Sequence, residues 1–337
     1  ALTSKAKRKR SLNAKGSFML IDFQKAAEIL KNSQNVYVIS HQSPDGDTLG
    51  SGFALVYFLR NLGKKANLIC SDEIPPKFKF LSEGYADEDF EPECFIAVDI
   101  ADKALFGEKT APFAENIELC IDHHISNSLY AKNTLLNPKA AATCQVLFEL
   151  FEFMGAEIGK KIATCLYTGL ATDTGCFKFE NTTPEAHFAA GKLISFGVEH
   201  FKINRRMFDE KSMARIKAEQ LLLSGMEYFL GGKITMIAVT RDVMEKSGLD
   251  ENEFEGVTSL TMQLEGVEVG ITAKERSDGV YKVSMRSSGR ANVSEICALF
   301  GGGGHIRAAG CTVEGSLDDV KAKLVSAVEK AVEALGE

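Results

Sequence analysis

The stretch Val36–Gly52, VYVISHQSPDGDTLGSG, constrains this chain more than any other. An apolar, strand-type run stops at His41, and Pro44-Asp45-Gly46 forces a turn that a further strand residue could not make. The residues after the turn read as a helix. The strand therefore delivers an imidazole and two carboxylates, His41, Asp45 and Asp47, to one sheet edge, a set that suits metal ions. Taken alone, His-x-x-x-Asp-x-Asp also reads as a solvated turn. Two later runs repeat the design: Ile96–Asp99 (IAVD) and Leu119–His124 (LCIDHH) are apolar strands ending in a carboxylate, and Thr168–Phe177 adds Asp173 after an apolar segment. In an open α/β sheet, sites lie outside the carboxyl ends of the strands, so the four endings are expected at one edge.

The elements between these runs fix the fold class. A helix is expected from Ile21 to Leu30, then the motif strand to Ser40, a helix over Thr48–Leu62 and a strand at Ala66–Cys70. Strand and helix signals then alternate through the helix Thr143–Met154 and the apolar run Ile162–Ala171, the βα pattern of a parallel doubly wound sheet. Thr183-Pro184-Glu185 starts a helix that Gly197 is placed to stop. Phe201–Phe229, long and mixed in charge, reads as a linker helix. Beyond it the expected order is a strand ITMIAV, helices from Arg241 and over Glu253–Leu264, and a hairpin turning at Ser277-Asp278-Gly279. A helix Ala291–Phe300, a strand near Cys311–Val313 and a last helix from Leu317 complete a smaller α+β domain. We expect a tail over 1–18, a first domain over 19–200, a linker over 201–229 and a second domain over 230–337.

With 337 residues, 45% of them hydrophobic, the chain has material for about two cores. A net charge of -7 argues against a surface that coats long nucleic acids. No two of the eight cysteines form a Cys-x-x-Cys pair and several sit inside apolar runs, as expected of a reduced, cytoplasmic protein. The tail carries six lysines and arginines without an acidic residue and lacks the apolar core of a signal peptide. It is read as a disordered or appended segment, with Met19 as the natural start. No stretch has the length of apolar residues that a membrane span requires, and no membrane partner is expected.

His41-Gln-Ser-Pro-Asp45-Gly-Asp47, Val98-Asp99, Asp122-His123-His124-Ile-Ser-Asn127 and Thr172-Asp173-Thr174-Gly175 resemble the four motifs of the DHH phosphoesterase superfamily, in its order. Gly301-Gly-Gly-Gly-His305-Ile-Arg-Ala-Ala-Gly310 resembles the glycine-rich motif of its associated C-terminal domain. The resemblance runs from about Ser17 onward and is greatest to the nano-RNase and pAp-phosphatase branch. It implies an active site in the cleft between the two domains. It also implies that His41, Asp45 and Asp99 hold one divalent cation and that Asp47, Asp99, His123 and Asp173 hold another, with Asp99 bridging.

Four carboxylates within a few ångströms would repel one another without cations. Oxygen and imidazole ligands without thiolate point to manganese first, with magnesium or cobalt as alternatives and zinc compatible with the imidazoles. His124 faces the phosphate in the family; as imidazolium it would bind phosphate or protonate the leaving oxygen. Asp122 is expected to orient an imidazole. Ser51, Asn127 and Thr174 read as supporting polar residues.

In the second domain, Gly302, Gly303 and Gly304 are expected to let backbone amides approach an anion, with His305 adding charge or a hydrogen bond and Arg286 reaching the substrate phosphate. Phe177 is a candidate for stacking on a base. One position departs from the family: Leu105 stands where relatives carry a basic residue, and Lys103 is the candidate to replace it. The resemblance implies hydrolysis of very short oligonucleotides, RNA or DNA, and of 3′-phosphoadenosine 5′-phosphate. The alternatives are linear or cyclic dinucleotides, then a RecJ-type exonuclease, a pyrophosphatase or a catalytically silent nucleotide-binding module. The oligomeric state stays open, a homodimer included.

Overall fold

The computed structural model of the protein describes residues 19–254 and 256–334, so the basic tail over 1–18 lies outside the described residues. The chain divides into two compact units, the first ending at Glu210 and the second beginning at Lys211.

The first unit runs β1 (Met19–Leu20), α1 (Phe23–Asn32), β2 (Val36–Ile39), α2 (Gly46–Asn61), β3 (Ala66–Ile69), β4 (Cys94–Val98), β5 (Ile117–Asp122) and β6 (Asn133–Leu136). Helices α3 (Thr143–Phe153), α4 (Lys160–Asp173), α5 (Pro184–Ser195) and α6 (His200–Asn204) follow. Its six strands are all parallel, in the order β1-β6-β5-β4-β2-β3. The strands alternate between two apolar faces. Val36, Val38, Ile96, Val98, Leu119 and Ile121 bury against the helices, while Ile39, Ala97 and Cys120 pack under the 3₁₀ turns and loops between 100 and 131. Strand order reverses between β2 and β4, so the chain leaves these neighbours in opposite directions and opens a crevice at their carboxyl ends. His41 and Asp99 follow those two strands directly.

Helix α2 is buried along almost its whole length because it lies between the sheet and α4, and glycines permit that approach. A Cβ at Gly50 would stand 2.5 Å from the Cys165 carbonyl oxygen, and one at Gly169 2.2 Å from Cys144 Sγ. The apolar run Ile162–Ala171 is the body of helix α4, so Asp173 ends a helix rather than a strand.

The segment expected as a linker helix is broken. Helix α6 continues as a π-helical turn to Asp209, Glu210 becomes extended, and α7 (Met213–Ser224) starts afresh with Ser212 as its cap.

The second unit continues with β7 (Glu227–Phe229), β8 (Ile234–Val239), α8 (Arg241–Ser247), β9 (Val269–Ser277), β10 (Val280–Ser287), α9 (Val293–Ala298), β11 (Gly303–His305), β12 (Ala308–Glu314) and α10 (Leu317–Glu333). Its mixed sheet has the order β11-β12-β10-β9-β8-β7. Residues 253–264, read as one helix, form two 3₁₀ pieces separated by Gly256 at φ 75°. The β9–β10 hairpin turns at Asp278-Gly279, with Gly279 at φ 69°. The apolar faces of α9 and α10 cover the side of the sheet that carries Ile271, Val283, Met285 and Val313. Among the described residues no helix is long and apolar enough to cross a membrane.

Candidate metal centre

Each side chain of the site is aimed by the local fold. Asp45 caps helix α2: its Oδ1 accepts from the amides of Asp47 and Thr48. Asp47 enters the first turn of α2 and is buried. Its two oxygens accept from the amides of Thr143 and Cys144, at 2.6 and 2.9 Å, at the N-terminus of α3. That terminus has no capping side chain and no acid in its first turn, so Asp47 supplies the anion from another element. Asp99 is buried at φ 61°, a left-handed conformation rare for a residue with a Cβ, and its Oδ1 accepts from Thr143 Oγ1 at 2.8 Å.

Two histidines are fixed through their Nδ1 atoms. His41 Nδ1 donates to the Gln42 carbonyl at 2.7 Å and His123 Nδ1 to the Ala140 carbonyl at 3.1 Å, since a carbonyl only accepts. The opposite nitrogens face the carboxylates. His41 Nε2 is 3.7 Å from both Asp45 Oδ1 and Asp99 Oδ2. His123 Nε2 lies 3.6 Å from Asp173 Oδ2, 3.8 Å from Asp99 Oδ1 and 4.0 Å from Asp47 Oδ2. His41, Asp45 and Asp99 thus form one potential ligand set and Asp47, His123 and Asp173 a second, with ligand atoms within 4.8 Å of one another in each; Asp99 also groups with His123 and His124.

The donor set fits divalent cations. These are imidazole Nε2 atoms and carboxylate oxygens, pre-oriented by carbonyls and amides, with no thiolate among them.

Asp122 has a different task. It is fully buried, and its Oδ1 accepts from the His123 and His124 amides and from His124 Nδ1 at 2.8 Å, while Oδ2 accepts from Asn127 at 2.6 Å. With that many donors it orients His124, whose Nε2 is left on the other side of the ring.

The electrostatics match a site built for cations. Burial and the Asp47 charge hold the Asp99 carboxyl well above its ordinary value. Burial and the charges of Asp47 and Asp45 push Asp173 to about 8. Burial disfavours the His41 imidazolium, yet Asp45 and Asp99 raise it to about 10. The Asp122 bond, opposed by burial and helped by the Asp99 charge, lifts His124 to about 9. Against its burial, the bonds to His124 and Asn127 hold Asp122 below the usual range.

Other expectations are redistributed. Phe177 packs against the core with its ring stacked on His187, so it is not a free platform for a base. Lys103 is ion-paired with Glu115 at 2.6 Å, which ties up the candidate replacement at Leu105. Sequence reading missed Thr143, whose signal was a helix start without an anion of its own. It also missed Lys77, which no motif marks and which shares a cavity of about 210 Å³ with Asp45, Asp173 and Phe208.

In the second unit Arg286 and Gly302–Gly304 line a cavity of about 710 Å³ on the sheet. His305 is exposed on β11, paired opposite Ala308 as Arg286 is. Gly302 departs from expectation. Its amide donates to the Cys297 carbonyl at 2.9 Å, and a Cβ there would strike Gly310 O and Cys311 of β12, so the residue serves close packing. Gly304, at φ 148°, likewise has the β12 backbone where a Cβ would stand; Gly303 opens to space.

A family model described as the DHH family, N-terminal domain, matches residues 35–170, and the DHHA1 domain matches residues 232–334. The chain is 35% identical to the bifunctional oligoribonuclease and PAP phosphatase NrnA of Thermus thermophilus, over 90% of this chain and 92% of that protein. It is 23% identical to the protein of the same name from Bacillus subtilis, over 81% of this chain and 87% of that one. A crystal structure of an exopolyphosphatase-related protein from Bacteroides fragilis superposes with TM-score 0.83 at 24% identity, covering 94% of this chain and 97% of that chain. That likeness bears on the fold.

Proposed function

Because this chain belongs to the DHH phosphoesterase family, carrying its N-terminal domain and a DHHA1 domain, we propose that it hydrolyses very short oligonucleotides and 3′-phosphoadenosine 5′-phosphate. The observation that carries the reading is the meeting of two His and carboxylate sets at Asp99, with His124 held beside them by a buried Asp122. We assign His41, Asp45 and Asp99 to one divalent cation and Asp47, Asp99, His123 and Asp173 to a second, manganese foremost, with magnesium or cobalt as alternatives. Such cations supply a water acidic enough to lose its proton near neutral pH and positive charge for the phosphoryl oxygens.

The chain's own residues do the rest. The α3 amides and Thr143 hold Asp47 and Asp99 in place. Asp122 fixes the His124 tautomer with Nδ1 protonated and keeps the ring cationic, so that Nε2 donates a proton to the leaving oxygen. We also assign Arg286, Gly303, Gly304 and His305 of the second unit to substrate binding. Eight free cysteines are in keeping with a cytoplasmic enzyme.

A substrate panel with manganese tests the reading: dinucleotides, pentanucleotides, a long single strand, 3′-phosphoadenosine 5′-phosphate, cyclic di-AMP and pyrophosphate. Dinucleotides and 3′-phosphoadenosine 5′-phosphate should be turned over fastest, and a chelator should stop the reaction. Preference for the long strand or for pyrophosphate would overturn it.

A further inference from the structure

We propose that a large cavity of the first unit, remote from the metal centre, binds a nucleoside monophosphate through Lys161, Arg206 and the ring of Phe201. The proposal stands independently of the hydrolytic reading.

The cavity lies between the first turns of α4, the 3₁₀ turn Pro76–Ser82 and the chain from Glu199 to Glu210. Its volume of about 920 Å³ is in the range of small-molecule sites. All of its lining residues belong to the first unit. Helix α4 sets its distance from the metal ligands. Lys161 opens that helix at the cavity and Asp173 ends it at the metal centre, so the two backbones stand about 18 Å apart along the axis.

Five basic and three acidic side chains line the cavity, which makes it locally positive in a chain of net charge -7. The acids are unevenly engaged. Glu199 takes Lys202 at 2.5 Å and Lys160 at 3.4 Å, and Glu210 takes Arg205 at 3.0 Å. Lys161 and Arg206 are held by rings instead. The Lys161 ammonium lies 4.1 Å from the Tyr57 ring centroid and the Arg206 guanidinium 5.1 Å from that of Phe80. Among the described residues neither is ion-paired with a carboxylate, and Glu83, the third acid, has no cationic partner. An aromatic face positions a cation without neutralising it, so both charges remain available to an anion.

The apolar lining adds the second half of the ligand. Leu81 and Ile203 are buried, whereas Phe201 is 69% exposed and stacks on no other ring among the described residues. Its open face is a platform on which a base can lie. An arginine fork with a lysine beside it suits a phosphate, whose oxygens accept several charge-assisted bonds at once. A phosphate joined through a sugar to a flat ring combines both features.

Calorimetric titration of the full chain in EDTA tests this, with adenosine 5′-monophosphate, adenosine and inorganic phosphate as the probes. The monophosphate should bind at least tenfold more tightly than either of its parts. Lys161→Gln and Arg206→Gln should each weaken it about tenfold, the scale of one charge-assisted contact. Phe201→Ala should weaken the monophosphate and leave inorganic phosphate unchanged. Glu83→Gln removes a carboxylate from the lining and should tighten the monophosphate, a gain that a folding defect cannot imitate. Arg286→Gln, in the second unit, should leave this binding in place. Binding lost in Arg286→Gln but kept in Lys161→Gln would overturn the proposal. So would inorganic phosphate binding as tightly as the monophosphate, or no binding at millimolar concentration. Failure of the hydrolytic reading would instead appear as absent manganese-dependent turnover, a separate measurement.

Discussion

His124 and Asp122 show how one contact sets a residue's chemistry. A buried carboxylate with three other donors to satisfy holds a single ring nitrogen, and that ring stays charged up to about pH 9 in the metal-free protein. Cations bound nearby disfavour a second positive charge, so the loaded enzyme should lose activity as pH rises through a lower value. We expect His124→Ala to cut kcat by about 10²–10⁴ and to remove the alkaline fall, with bound manganese unchanged by elemental analysis. Asp122→Asn removes the charge that stabilises the imidazolium, so the alkaline limb should move towards acid. Loss of metal in His124→Ala, or an unmoved limb in Asp122→Asn, would count against these roles.

At the scale of elements, the packing of α2 on α4 is what places Asp47. A Cβ on residue 169 would come within 2.7 Å of Asp47 Oδ1 as well as striking Cys144. Gly169→Ala should therefore cost about 1–3 kcal/mol by overpacking and weaken metal binding. Gly191, inside α5 with no atom near its absent Cβ, provides the opposite case: Gly191→Ala should stabilise by about 0.5–1 kcal/mol without touching the site. Chemical denaturation with and without manganese separates the two. The same elements show what sequence reads well. Strands β2, β4 and β5 were legible because each is an apolar run cut off by a polar site residue, a histidine after β2 and a carboxylate for β4 and β5. The run before Asp173 was ambiguous because apolar content alone does not distinguish a buried helix from a strand. Thr143 and Lys77 were invisible as motifs, since their partners, Asp99, Asp45 and Asp173, are distant in sequence and meet them only in the folded unit. Gly256 split a helix reading because a left-handed residue ended one turn before the next began.

For the whole molecule the site is a store of protons. Asp173 at about 8, His41 at about 10 and His124 at about 9 all lie above their unfolded values, and Asp99 lies in the same direction. The native chain then holds more protons than the unfolded one, so metal-free stability should fall as pH rises. The window is about 4 to 8 for Asp173 and about 6.5 to 10 for the histidines. Cations need those groups unprotonated. Adding manganese at pH 7 in weak buffer should therefore acidify the solution, and metal affinity should fall as pH falls. A flat Tm between pH 5 and 9 in EDTA, together with no proton release, would be inconsistent with this account. Asp99 carries a further consequence, because it joins a left-handed backbone to a buried carboxyl that faces Asp47 and must take up a proton when the metal-free chain folds. Asparagine tolerates that backbone and is neutral without a proton, so Asp99→Asn should raise the Tm of the metal-free protein while abolishing turnover. A laboratory selection for heat tolerance alone, run without a demand for activity, would then drift towards inert chains: durability and catalysis compete at this one position.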